Sequence, residues 1–368
     1  MGDVYMLDSA LKILNKLNDC GYEAYMVGGF VRDYLLGLES NDIDINTSAK
    51  PKEVLEIFKD AELSNKDYGT VVVIKNGYRF EITTFRKDIS YKDHRHPDEI
   101  VYIDDLNEDL LRRDFTINTI CMDKNKNIID LLDGKKDIKN KIIKTVGDSN
   151  IRFEEDALRI LRAIRFSTSL GFKLSEDVID SIKNNKYLLT KISYNRKKEE
   201  LDKIFTSNNC DLGIKLLLEY GLDNDLELSN LDKVVSNSGL IGIWSTLNVL
   251  DKYPFTNNEK DLIKKVNKLL ELNDYDSMTL YKYGLYVCSV VCDIKGLDKK
   301  KMTELYNSLD IHSRSDLNIT SEEIMKILNR EPGEYLKGIY DDLVEKVVYK
   351  KIDNNYDSLC NYIISNYK

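Results

Sequence analysis

The chain has 368 residues, too many for one ordinary hydrophobic core, so two or three domains are expected. Hydrophobic residues make up 42% and charged residues 32%, with only 4 Pro and 18 Gly, which excludes a disordered chain and favours a helix-rich globular one. A formal net charge of -9 excludes nucleic-acid binding through global basicity, so any such contact has to be local.

Apolar residues spaced by three and four over residues 8–19 predict an amphipathic helix. The N-terminus carries Asp3 and Asp8, and no basic stretch is followed by an apolar one. It is therefore not read as a secretory leader, and a cytoplasmic protein is expected. The period changes at residues 24–27, a short strand running into Gly28 and Gly29, after which residues 31–36 resume helical spacing. Further strands are predicted at residues 43–46, 70–74, 80–84 and 128–131, which are rich in β-branched and aromatic side chains. Beyond residue 149 helical spacing prevails, with breaks at Gly171, Asn184, Asn208, Gly221 and Tyr253. No apolar run approaches the ~20 residues that span a bilayer, so no membrane partner is expected. The scattered cysteines Cys20, Cys121, Cys210, Cys288, Cys292 and Cys360 read as free thiols. Cys288 and Cys292 lie one helical turn apart, but without a nearby His or second Cys pair they read as packing residues.

The chemistry concentrates in the α/β head. Gly28 and Gly29 follow a strand and open a helix, so the backbone can approach a triphosphate closely, and Arg32 can pair with phosphate oxygens. Asp42 and Asp44 lie two apart on the next predicted strand, which points both carboxylates to one side. Like charges that close need a cation between them. Hard oxygen ligands select Mg²⁺, which bridges triphosphate oxygens and neutralises the charge of a departing pyrophosphate. Glu81, on the strand at 80–84, is a candidate third carboxylate beside the attacking hydroxyl. Lys183, Lys186, Lys191, Arg196, Lys197, Lys198 and Lys203 crowd one stretch and read either as a local RNA-binding surface or as a solvated helix face.

Gly28-Gly29-Phe30-Val31-Arg32-Asp33 with Asp42-Ile43-Asp44 resembles the nucleotidyltransferase superfamily of DNA polymerase beta. More narrowly it resembles the class II tRNA nucleotidyltransferases and bacterial poly(A) polymerases. Three further segments carry the likeness: Arg112-Arg113-Asp114-Phe115-Thr116-Ile117-Asn118, residues 130–137 with Gly134, and residues 155–166. The resemblance implies an α+β fold. A nucleotidyltransferase head (1–149) has a small mixed β-sheet and flanking helices, followed by an all-helical neck (150–207), body (208–300) and tail (301–368).

Arg113 offers a planar donor fork for phosphate, and Asp114 an acceptor for a ribose hydroxyl. With Asn118 they belong to the nucleotide-binding set that the resemblance implies. On a helix over 155–166, Asp156 and Arg159 would be neighbours, one acceptor beside one donor. Such a couple satisfies the amino donor and ring-nitrogen acceptor of cytosine or adenine and mismatches guanine and uracil. The resemblance gives Asp156 and Arg159 this base-reading role, with Glu155 orienting the arginine and Arg162 and Arg165 near the nucleotide.

Residues 88–97 resemble the mobile loop of CCA-adding enzymes, with Arg95-His96 where two arginines are usual. Residues 193–201 carry Asn195 where Glu is usual, while Arg196 and Glu200 match. Residues 317–338 resemble a tail that holds the tRNA elbow. The implied activity is template-independent transfer of CMP, CMP and AMP from CTP and ATP to the 3′ end of tRNA, with Mg²⁺ as cofactor. Adding A alone, or making poly(A), would use the same head chemistry. A non-catalytic helical RNA-binding protein is the reading from another class.

Overall fold

A computed structural model of the chain describes residues 2–40, 42–65, 69–89, 100–272 and 276–368. The expected mobile loop lies almost wholly outside the described residues. The chain forms two compact units, Met1–Glu227 and Leu228–Lys368.

The first unit begins with α1 (Gly2–Asp19), β1 (Ala24–Val27), α2 (Gly29–Leu36), β2 (Asp44–Thr47), α3 (Pro51–Ile57), β3 (Glu62–Asn65), β4 (Thr70–Lys75) and β5 (Tyr78–Thr84). It continues through β6 (Arg86–Asp88), β7 (Ile100–Tyr102), α4 (Leu106–Leu111), β8 (Cys121–Met122), β9 (Ile128–Ile129) and α5 (Gly134–Asn140). Seven strands make one sheet in the order β3-β4-β5-β2-β1-β8-β9. β2 and β5 run parallel while the other pairs are antiparallel, so the sheet is mixed.

The alternation of side chains along each strand decides which face carries function. Ala24 and Met26, Ile45, Val71 and Val73, and Phe80 and Ile82 all point to the back, where α1 and α3 cover them. α1 contributes Ala10, Ile13, Leu14 and Leu17 at helical spacing, each almost without solvent exposure. The front face receives the other alternate set, Asp44 and Asn46 on β2 and Glu81 and Thr83 on β5. A smaller cluster of Val27, Phe85, Leu106, Leu110 and Cys121 packs α4 against part of that face.

Helices take over after β10 (Ile142–Ile143): α6 (Ser149–Glu155), α7 (Leu158–Leu170), α8 (Glu176–Asn185), α9 (Tyr194–Phe205), α10 (Cys210–Glu219) and α11 (Leu222–Asp225). One short parallel pairing interrupts them, between β10 and β11 (Lys173–Leu174), where only helices were expected beyond residue 149. The helix expected over 155–166 is broken. Asp156 is extended (φ -145, ψ 101) between α6 and α7, so Asp156 and Arg159 do not share a helix as the spacing suggested.

The second unit is helical, with α12 (Gly239–Leu247), α13 (Asn257–Leu270), α14 (Ser277–Lys295, broken at Gly284), α15 (Lys299–Asn307), α16 (Ser321–Leu328), α17 (Tyr335–Val348) and α18 (Tyr356–Tyr367). Trp244, Tyr253 and Phe255 cluster in it. All six cysteines are free, and Cys288 and Cys292 are buried core residues. Among the described residues no helix is long and apolar enough to cross a membrane.

Candidate active site

The front face of the sheet and the helices from α6 to α9 enclose a cleft of about 640 Å³, within the roughly 300–1,000 Å³ usual for small-molecule sites. Its floor follows from the register. Asp44 stands opposite Glu81 and Asn46 opposite Thr83 across the parallel β2–β5 pair, and Thr70 on β4 meets Thr83, their hydroxyls 3.0 Å apart. Asp42 precedes β2 and is exposed, so it does not share the strand with Asp44 as expected, yet its charge still acts on Asp44. The Asp44 carboxyl opens to solvent through the cleft mouth but is crowded by protein. Desolvation, followed by the charges of Asp42 and Glu81, pushes its pKa up to about 6 against the opposing pull of Arg113. Glu81 also pairs with Arg79 at 2.7 Å.

Repelling hard-oxygen donors of this kind fit a divalent cation. Among the described residues no three acidic, histidine or cysteine side chains gather closely enough to hold a metal by themselves. Asp44 and Glu81 face the cleft as hard-oxygen donors. A matching donor stands beside them. Arg113 is mostly buried, and its Nε has no hydrogen-bond partner among the described residues. A buried guanidinium N–H left unpaired is costly, and phosphate is the acceptor its shape suits.

Gly28 caps α2 at φ 74, a conformation that L side chains rarely adopt, and a Cβ there would meet Arg113 Nη1 at 3.4 Å. Gly29 leaves its Cβ position 3.7 Å from Arg32 Nη2. Arg32 itself departs from expectation. It is buried, donates to Asp33 at 2.8 Å and to Asn118 Oδ1 at 2.8 Å, and does not line the cleft. Its neighbours claim its donors, so it braces Asn118, whose amide in turn donates to Asp114 at 3.1 Å.

Asp114 lines the cleft and is already well bonded. Arg162 Nε donates to it at 2.8 Å and the Phe115 N–H at 2.8 Å. Desolvation alone would raise its pKa, but Arg162, Asn118 and the Phe115 amide outweigh it and hold the carboxyl well below the usual range.

The segment from α6 to α9 supplies the remaining wall. Asp156, Arg159 and Arg162 line the same cleft as Asp44, Glu81, Arg113 and Asp114. Arg159 is buried, and its Nη1 donates to Glu155 at 2.7 Å, the orienting contact expected of Glu155, and to the Arg152 carbonyl at 3.2 Å. Its Nη2 donates to the Arg112 carbonyl at 3.3 Å, across to the head. Asp156 accepts from the Leu158 N–H at 3.1 Å and from both terminal nitrogens of Arg196, at 2.9 and 3.2 Å. Arg165, expected near the nucleotide, is instead turned to Glu200 at 2.6 Å, over the Phe166 ring at 4.1 Å, and does not line the cleft.

Sequence reasoning missed Asn46, Thr70, Thr83 and Arg86 as cleft residues; strand alternation starting from Asp44 and Glu81 would have found Asn46 and Thr83. The basic stretch at 183–203 is mostly engaged within the protein. Lys186 donates to the Tyr220 and Gly221 carbonyls, Arg196 holds Asp156, Lys197 is buried, Lys198 meets Asp202 and Lys203 meets Glu200. Lys183, Lys191 and Lys203 remain exposed, so part of the stretch is open to solvent.

Residues 24–144 match the family described as Poly A polymerase head domain, and with the carboxylate floor this defines a nucleotidyltransferase. Residues 171–226 match the probable RNA and SrmB-binding site of polymerase A, and residues 245–363 the putative domain 2 of tRNA nucleotidyltransferase. The CCA-adding enzyme of Staphylococcus haemolyticus is 33% identical over 99% of both chains, and that of Ligilactobacillus salivarius 35% identical over 95% of this chain and 94% of its own. The Bacillus stearothermophilus CCA-adding enzyme solved in complex with CTP superposes with a TM-score of 0.86 at 30% identity, covering 97% of this chain and 96% of that one. The chain belongs to the family of CCA-adding enzymes. That membership sets aside the alternative of a non-catalytic RNA-binding protein.

Proposed function

We propose that this chain transfers CMP, CMP and AMP in turn from CTP and ATP to the 3′ end of tRNA, releasing pyrophosphate at each step. The observation that carries the reading is the convergence of Asp44 and Glu81 with Asp156 and Arg159 on one cleft. In each step the terminal ribose hydroxyl oxygen forms a bond to the α-phosphorus, the bond from that phosphorus to the bridging oxygen breaks, and the hydroxyl proton passes to a carboxylate of the floor. Glu81, side by side with Asp44, is the residue assigned to the attacking hydroxyl.

Asp42 and Asp44 would hold Mg²⁺, which when bound supplies positive charge to the triphosphate and acidifies the hydroxyl. Members of this family are generally dependent on a divalent metal; hard carboxylate donors and a triphosphate favour Mg²⁺. The glycine turn at Gly28 and Gly29 leaves room for phosphate, and Arg113, with its unpaired Nε, grips it. Asp114 faces the ribose, braced by Asn118 and Arg32. Asp156 and Arg159 read the base edge, with Glu155 fixing Arg159 and Arg162 fixing Asp114. Arg165 supports the neck through Glu200.

The test is incorporation into tRNA ending before CCA, with CTP alone, ATP alone and both. CMP transfer with CTP alone and completion only with both are expected. AMP transfer without CMP transfer would replace this reading with an A-adding enzyme, and long A tails with a poly(A) polymerase. Asp42→Ala should abolish transfer, and activity lost to a chelator should return with Mg²⁺; an Asp42→Ala enzyme of full activity would remove the metal role.

A further inference from the structure

Behind the wall of the cleft lies a carboxylate to which the preceding roles give no part. Asp109, on α4, has no solvent exposure. Asn46 Nδ2 donates to its Oδ2 at 2.6 Å, while Arg112 Nε and Nη2 donate to Oδ1 at 3.0 and 2.6 Å. The Arg86 backbone N–H adds a contact at 3.2 Å, and Arg113 Nη2 lies 3.6 Å from Oδ2. These partners come from different parts of the head. Asn46 is on β2 and faces the same way as Asp44, Arg86 opens β6, and Arg112 and Arg113 follow α4.

A buried carboxylate is tolerated only when its charge and lone pairs are met, and here every partner is a donor. Burial opposes its ionisation, but the arginines prevail and hold its pKa below the ordinary value. An amide of the same shape would turn one oxygen into a donor facing donors.

We propose that Asp109 is a positioning residue for nucleotidyl transfer, holding the strand of Asp44 and the turn of Arg113 at one fixed separation. The inference rests on the reading of Arg113 as the triphosphate grip. Carboxylates and grip must act on the same phosphate chain, and a misplacement of about 1 Å costs on the order of 100-fold in rate. Because Asp109 touches neither base reader, its loss lowers CMP and AMP transfer by the same factor.

The experiment compares full-length Asp109→Asn, Asn46→Ala, Arg113→Ala and the Asp109→Asn/Arg113→Ala double variant, each with its melting temperature. For folded Asp109→Asn, kcat should fall on the order of 30- to 100-fold with either nucleotide, while KM for tRNA stays within about 3-fold. Asn46→Ala should lose roughly 5- to 10-fold. The double variant should be little worse than Arg113→Ala, because both substitutions disable one unit. A purely structural aspartate would lower the melting temperature and leave kcat per folded molecule unchanged. Wild-type kcat in folded Asp109→Asn overturns the proposal, and if that variant does not fold, wild-type kcat in Asn46→Ala does. Full activity of Arg113→Ala would instead overturn the reading of Arg113, a result separable from the others.

Discussion

Asp44 and Asp114 line one cleft, yet their surroundings drive their proton affinities apart. Asp44 meets burial and two carboxylates, so its charge is held at a cost that a bound cation would relieve. Asp114 meets a guanidinium, an amide and a backbone N–H, so its charge is secured by the protein itself. Its pKa is depressed by folding, so the stability it contributes is complete above the unfolded value of about 3.9 and is lost as pH falls below that. Asp114→Asn, which removes the charge that pairs with the half-buried Arg162, should cost about 1–3 kcal/mol at pH 7. Urea unfolding should show the gap from the parent closing as pH drops below about 4; a gap independent of pH would mean that the charge of Asp114 is not what matters.

At the scale of elements, the site depends on short pieces locked together. The N-terminus of α5 is held by Asp130, which accepts from the Gly134 and Lys135 N–H groups at 2.8 and 2.9 Å. A Cβ on Gly134 would lie 2.3 Å from the Thr116 carbonyl oxygen, in the 3₁₀ turn Thr116–Asn118. Gly134→Ala should therefore displace that turn, cost about 1–3 kcal/mol, and weaken nucleotide binding through Asn118 and Asp114. Chemical denaturation together with the KM for CTP checks both effects.

The same scale explains what the sequence could disclose. Residues 24–27 were legible as a strand because apolar residues end at a glycine pair, and Asp44 and Glu81 because alternation fixes their face. The break at Asp156 was not legible. Residues 150–160 contain no Gly or Pro, and the chain leaves the helix where Asp156 meets Arg196, 40 positions away. Arg32, read as a phosphate ligand beside the glycine pair, and Arg165, placed near the nucleotide by the resemblance, instead have donors taken by Asn118 and Glu200, distant in sequence. The two-residue strands β8, β10 and β11 owe their form to their partners and have no pattern of their own.

Over the whole molecule, all the cleft residues belong to Met1–Glu227, which carries its own hydrophobic clusters. Removal of Leu228–Lys368 should leave CTP affinity within about 3-fold by calorimetry, while tRNA affinity falls by more than about 10-fold because phosphate contacts are lost. A net charge of -9 provides no general attraction for RNA to mask that loss.

The bidentate grip of Arg196 on Asp156 changes what selecting a nucleotide means. An arriving base competes with a protein side chain and not with bulk water alone, so the same internal bonds are subtracted from the affinity of every candidate. On the proposed reading of Asp156, the cost common to all bases cancels between right and wrong and keeps both weakly held, while the bonds that a matching base re-forms supply the difference. Such a cleft is suited to choosing rather than keeping, as fits a catalyst that must change its preferred base partway through one product.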